Sequence, residues 1–214
     1  MHTFVRSLPN ILTGSRIFLT AIFLVLLGMT DRQALLDPAA VDSQAGKLHW
    51  AFAVFVIAGI TDILDGPLAR KLKVTSQFGR TFDPFVDKIL IGGGFIMLAI
   101  YNTGIPKDLT GVAWWMVAVI LARELFVTII RSMSESQGKE FAATWAGKLK
   151  MFLQSFTIGT IIIYVADCQG ETWAVILRNC MIWITVVFTV FSAMIYTRRI
   201  QKLRIFSGLT KKNR

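Results

Sequence analysis

An all-α integral membrane protein of six transmembrane helices is the fold class that the sequence predicts, and three observations carry it. Hydrophobic residues make up 54% of the 214, and the mean hydropathy is +0.59, well above that of an ordinary soluble domain. The apolar residues gather into six runs, each close to the ~20 residues that a spanning helix needs. Lysines and arginines crowd into alternate connections between those runs, the asymmetry that orients membrane proteins.

The first run, Ile11–Met29, carries Arg16 near its start. It is read as a span and not as a cleaved signal peptide, because it is long and no small-residue cleavage site follows it. In the connection Asp31–Lys47, Ala34, Leu35 and Leu36 precede Pro38 and suggest a short surface helix. The second and third runs, Trp50–Leu68 and Phe85–Tyr101, are short once their aspartates are excluded, so each carries acids at one end. Gly92–Gly94 in the third suggest close helix packing. The fourth, fifth and sixth runs are Val112–Met133, Leu149–Ala166 and Trp173–Tyr196. Trp114, Trp115 and Trp173 stand at outer borders, where an aromatic belt is expected. One membrane domain, residues 1–200, and a basic tail, 201–214, account for the chain.

The formal net charge is +10. In a soluble domain that would point to nucleic acid. Here the charge sits in the connection around Arg70, Lys71, Lys73 and Arg80, in the segment from Arg131 to Lys150, and in the tail from Arg198 to Arg214. The other connections hold few cations. Both termini are therefore expected in the cytoplasm, with the tail on anionic lipid headgroups and no nucleic-acid partner. Cys168 and Cys180 have no metal-ligand spacing and do not imply a disulfide. His2 and His49 suggest no partner. Arg178, near the outer end of span six, reads as a snorkelling side chain.

With that orientation, charges on five spans fall at one leaflet: Arg16; Asp62 and Asp65; Asp83, Asp87 and Lys88; Arg123, Glu124 and Arg131; Lys148 and Lys150. A pump or channel would distribute ionisable groups through the membrane depth. This pattern instead describes a polar cavity at the cytoplasmic headgroup level.

Four of the chain's 13 acidic residues lie between Thr61 and Lys88. Asp62 and Asp65 are three apart, and Asp83 and Asp87 four apart, so each pair shares one helical face. Gly66 allows a close approach or a helix end, and Gly79 does the same for the returning chain. Asp83 before Pro84 suits an N-cap followed by the first helical position. Two short helical faces joined by a basic loop would then bring four carboxylates together. Such a group needs protons or cations to compensate it. Hard oxygen ligands favour Mg²⁺, Mn²⁺ or Ca²⁺, and paired divalent ions clamp a phosphoryl centre during in-line displacement.

The pattern Asp62-x2-Asp65-Gly66-x2-Ala69-Arg70-x8-Gly79-x3-Asp83-x3-Asp87 resembles the signature of the CDP-alcohol phosphatidyltransferase family, with every fixed position and gap matched. Within that family, Pro9, Asn10, Leu12, Thr13 and Arg16 resemble an element of the phosphatidylglycerophosphate synthases. So do Ala122, Arg123, Glu124, Gly147, Lys148 and Lys150. Ile129 stands where that group would have a glycine.

The resemblance implies that the hydroxyl of sn-glycerol 3-phosphate attacks the lipid-side phosphorus of CDP-diacylglycerol, releasing CMP. It implies that Asp62, Asp65, Asp83 and Asp87 hold Mg²⁺ or Mn²⁺, two ions, and that Asp87 also takes the acceptor proton. Gly66, Ala69, Arg70, Gly79, Asn10 and Thr13 would bind CDP-diacylglycerol. Arg123, Lys148 and Lys150 would bind the acceptor phosphate. A homodimer, with a seam at the Gly92–Gly94 stretch, and a bacterial inner-membrane location are further implications. Phosphatidylglycerol, as in cardiolipin synthesis, or inositol phosphate is the alternative acceptor. A cation transporter and a lipid-binding protein are the alternatives of another class.

Overall fold

The computed structural model describes residues 2–37, 40–72, 77–136 and 145–202, the side chains of 2–13, 63–72, 77–84, 131, 134–136, 146 and 199–202 excepted. Six α-helices, one 3₁₀ turn and no strand occur among the described residues: α1 His2–Gly28, α2 Val41–Leu72, α3 Gln77–Tyr101, α4 Trp114–Ser136, α5 Trp145–Asp167 and α6 Thr172–Lys202, with the turn Ala34–Leu36 before α2. Helices of 23 residues or more reach ~35 Å at 1.5 Å per residue. Two stretches, Gly147–Asp167 and Thr172–Arg198, are long and apolar enough to cross a membrane.

The helices form a closed ring. α1 packs on α2 and α3, α2 on α5, α5 on α6, α6 on α4 and α4 on α3, while α3 also reaches α5 across the ring. The core between them is apolar, with Phe23, Phe55, Phe95, Leu98, Ile158 and Ile161 buried. The outward faces are apolar too: Phe18, Val25, Trp50, Ile57, Phe156, Val187 and Phe191 are exposed. Such continuous apolar outer faces suit lipid, not water.

Inside a bilayer, helices associate through close packing and polar contacts and not by removing area from water. The three glycines of α3 serve that packing in three directions. A Cβ on Gly92 would stand 2.8 Å from Leu121 of α4, on Gly93 3.0 Å from Leu24 of α1, and on Gly94 3.0 Å from Ile158 of α5. Close packing at these glycines is therefore within one chain. Gly94→Val is expected to lower the melting temperature in detergent, at a cost of about 1–3 kcal/mol for overpacking. Gly46→Ala on α2, where a Cβ meets nothing within 4 Å, is expected to leave it unchanged or raise it.

Three sequence expectations are corrected here. Asp83 is not an N-cap: α3 starts at Gln77 and runs through Asp83 and Pro84. Pro84, the eighth residue of α3, cannot donate one turn back and its ring crowds that carbonyl, yet the helix continues through it. Gly66 does not end α2, which runs on through Pro67 to Leu72. Arg70 and Lys71 are thus helical and not part of a loop, as is Arg80 in α3. Arg178 does not snorkel. It is 4% exposed, donates from Nη1 to the Leu109 carbonyl at 3.0 Å, pairs with Asp108 at 3.4 Å and lies 4.6 Å from the Tyr164 ring centre.

This clasp fastens α6 to the α3–α4 connection. That connection turns at Gly111, whose φ of +73° favours glycine. A Cβ there would meet Ile182 at 2.9 Å and Arg178 at 3.1 Å. Tyr101 closes the same end of the bundle by donating to the Leu27 carbonyl at 2.8 Å. His49, expected to lack a partner, lies 2.9 Å from Asp167 there, tying α2 to α5. Cys168 and Cys180 are free thiols. The short helix expected before Pro38 is the 3₁₀ turn, with Leu35 buried.

Candidate functional site

The opposite end of the bundle holds the other buried charges, Arg16, Arg123 and Lys150. Arg16, one turn of α1 before Thr20, is 1% exposed. Burying a guanidinium that deeply is tolerable only with anionic partners. Its Nη1 meets Asp62 Oδ1 of α2 at 2.7 Å and Asp87 Oδ1 of α3 at 3.1 Å. One nitrogen thus joins carboxylates from two helices, and three consecutive helices converge on it. Both aspartates keep an open side, at 31% and 23% side-chain exposure.

A second cluster lies on α4, α5 and α6. Glu124 forms an ion pair with Lys150 and lies 3.6 Å from Arg123. Arg123 donates from Nε to Ser192 Oγ at 3.0 Å, and its guanidinium covers the Tyr196 ring at 5.3 Å. Arg123 and Lys150 are both buried. The Nη2 of Arg123 is buried with no hydrogen-bond partner among the described residues, a donor suited to an anion. Ser192 sits there because α5 and α6 run antiparallel, in the register set by the Thr157–Thr185 hydroxyl pair at 2.7 Å. Seven residues back along α5 and seven forward along α6 bring Lys150 and Ser192 level.

Lys148 takes a different position from Lys150. Two residues apart on a helix is 200° of rotation, so the two do not face one point. Lys148 lines a groove of about 700 Å³ together with Asp62 and Asp87. The walls are apolar, with Phe52, Phe55 and Ile60 of α2 and Phe156 and Ile163 of α5, and the far end reaches Cys168 and Trp173. From Lys148 to Cys168 the groove follows ~30 Å of helix, the thickness of a bilayer's hydrocarbon core. It is thus charged at one end and apolar along its length, the shape of a groove for an amphiphile.

Of the residues singled out in the sequence, the structure brings Asp62, Asp87 and Lys148 to one groove, and Arg123 and Lys150 to the neighbouring cluster. Asp65, Gly66, Ala69 and Arg70 belong to α2, Gly79 and Asp83 to α3, Asn10 and Thr13 to α1. Their side chains lie outside the described residues. The sequence reading gave no role to Ser192 or Tyr196, and took Glu124 only as one of the charges of the polar cavity. A lone serine and tyrosine in the polar-poor sixth span were the available signal.

The donors fit a hard divalent cation. The carboxylates of Asp62 and Asp87 meet at one cationic nitrogen, and both are hard oxygen ligands. Among the described residues, no three His, Cys, Asp or Glu side chains gather. Asp65 and Asp83, at helical spacing from these two in the sequence, are the further carboxylates that the sequence led us to expect.

The family model for CDP-alcohol phosphatidyltransferases matches residues 6–191. A Bacillus subtilis (strain 168) protein named CDP-diacylglycerol–glycerol-3-phosphate 3-phosphatidyltransferase is 32% identical over 191 residues, 89% of this chain and 93% of its own. A Mycobacterium tuberculosis (strain ATCC 25618 / H37Rv) protein named probable phosphatidylglycerophosphate synthase is 35% identical over 185 residues, 86% of this chain and 78% of its own. A Rickettsia typhi (strain ATCC VR-144 / Wilmington) protein with the same name as the Bacillus one is 31% identical, covering 89% of this chain and 95% of its own.

Proposed function

Because the chain belongs to the CDP-alcohol phosphatidyltransferase family, we propose that it transfers the phosphatidyl group of CDP-diacylglycerol to sn-glycerol 3-phosphate, giving phosphatidylglycerophosphate and CMP. The observation that carries this reading is the meeting of Asp62 and Asp87 at the charged end of an apolar groove. A lipid nucleotide needs both parts of that site: apolar walls for an acyl chain and a charged end for the pyrophosphate. The relatives' names supply the acceptor.

In this mechanism the acceptor hydroxyl oxygen attacks the phosphorus that bears the diacylglycerol. The anhydride bond to CMP breaks, CMP leaves, and the hydroxyl proton passes to Asp87. A carboxylate does this when it is within hydrogen-bond reach of the hydroxyl. Asp62, Asp65, Asp83 and Asp87 would hold two Mg²⁺ or Mn²⁺ ions. When bound, such ions offset the negative charge of the pyrophosphate and of the departing phosphate. Gly66, Ala69, Arg70, Gly79, Asn10 and Thr13 would bind CDP-diacylglycerol, as the family resemblance implies. Arg123 and Lys150 bind the acceptor phosphate, with the unpaired Nη2 of Arg123 as one donor. Lys148, which lines the groove, would meet the acceptor phosphate from that side.

The same proposal takes all six helices as spans, residues 1–200 as one membrane domain and 201–214 as a basic tail. Both termini and the site then face the cytoplasm at a bacterial inner membrane. A homodimer is part of it.

Purified protein in detergent, with CDP-diacylglycerol and Mg²⁺ or Mn²⁺, tests this. Glycerol 3-phosphate, inositol phosphate and phosphatidylglycerol are supplied separately. CMP release with glycerol 3-phosphate, stopped by EDTA, is expected. Release with phosphatidylglycerol instead would move the acceptor to that of a cardiolipin synthase.

A further inference from the structure

We infer that Arg16 is a resident counter-ion of the carboxylate centre, joining Asp62 to Asp87 when no divalent ion is bound and competing with that ion for the same oxygens. This rests on the metal-dependent reading above. A single nitrogen, Nη1, meets Oδ1 of both carboxylates, one expected to hold metal and the other to hold metal and take the proton. The arginine is buried on α1 while both carboxylates stay partly open, so a cation arriving from the groove meets oxygens already engaged from behind.

Two consequences follow from that geometry. Without metal, the guanidinium offsets like-charge repulsion between Asp62 and Asp87 and ties α1 to α2 and α3. With metal, a unit positive charge a few ångströms from a divalent ion opposes its binding at the same carboxylates. Arg16 is then a positioning residue that sets how tightly the two carboxylates hold the ion.

The test is Mn²⁺ binding to metal-stripped protein, read from the loss of the free-ion electron paramagnetic resonance signal, beside melting temperature with and without Mn²⁺. Wild type, Arg16→Gln and Arg16→Lys are compared. Arg16→Gln is expected to melt lower without metal yet to bind Mn²⁺ about tenfold more tightly, with a larger Mn²⁺-induced rise in melting temperature. Arg16→Lys keeps the charge on a flexible point donor and should fall between the two. It also serves as the test variant should the glutamine form not fold. Mn²⁺ affinity equal to or weaker than wild type in a folded variant would overturn the inference, placing Arg16 as a support of the metal site. No Mn²⁺ bound by wild type or variants would overturn this inference together with the metal reading itself, whereas CMP release assays separate the two.

Discussion

Asp87→Asn is expected to lower kcat by about 1,000-fold, within the range that general-base groups contribute, while the protein stays folded. The amide is nearly isosteric and keeps an oxygen that can accept from Arg16 Nη1, now 3.1 Å from Asp87 Oδ1. What it loses is the charge that would help hold a cation and the basicity to take the acceptor proton. The groove walls are untouched, so binding of CDP-diacylglycerol should change far less than turnover. Asp62→Asn separates the two roles: it should raise the Mg²⁺ or Mn²⁺ concentration needed for half-maximal rate. Steady-state kinetics over a metal titration, with melting temperature as the folding control, check both. An Asp87→Asn enzyme within a few-fold of wild type would remove Asp87 from the mechanism.

Glu124→Gln carries the largest expected effect on stability. Lys150 is 3% and Arg123 7% exposed, and Glu124 is the carboxylate that both face. Removing one member of a buried ion pair leaves uncompensated charge and costs about 3–5 kcal/mol. The variant should therefore melt well below wild type in detergent. The pair Glu124→Leu with Lys150→Met removes both charges of the bridge, a replacement that is often near neutral, but it leaves Arg123 buried without its carboxylate, so only part of the melting temperature should return. Activity should not return with it, because Lys150 is a proposed ligand of the acceptor phosphate. A double variant that recovers stability and full turnover would show that Lys150 only supports the helix packing.

The helices were legible in the sequence because each apolar run is long and bounded by charge. Their ends were less so. Gly66 and Pro84 read as boundaries, yet α2 and α3 run through them, since the local cost does not outweigh the continuing packing of the helix. Partners across helices were not legible at all. His49 and Asp167 are 118 residues apart, and the burial of Arg178 depends on the α3–α4 connection folding back over it. The bridging of Asp62 and Asp87 by Arg16 needs three helices in place before any contact exists. The differing directions of Lys148 and Lys150 were a different matter. Their spacing of two on a helix already separates their faces.

The most direct test of the proposed reaction follows the acceptor itself. The purified protein is given ³²P-labelled sn-glycerol 3-phosphate, unlabelled CDP-diacylglycerol and Mg²⁺, and the label is partitioned between water and chloroform. The label should move into the lipid phase as phosphatidylglycerophosphate, one molecule for each CMP released, and remain in water with Asp87→Asn. CMP release without lipid-borne label, or no turnover by a folded and metal-supplied enzyme, would contradict it.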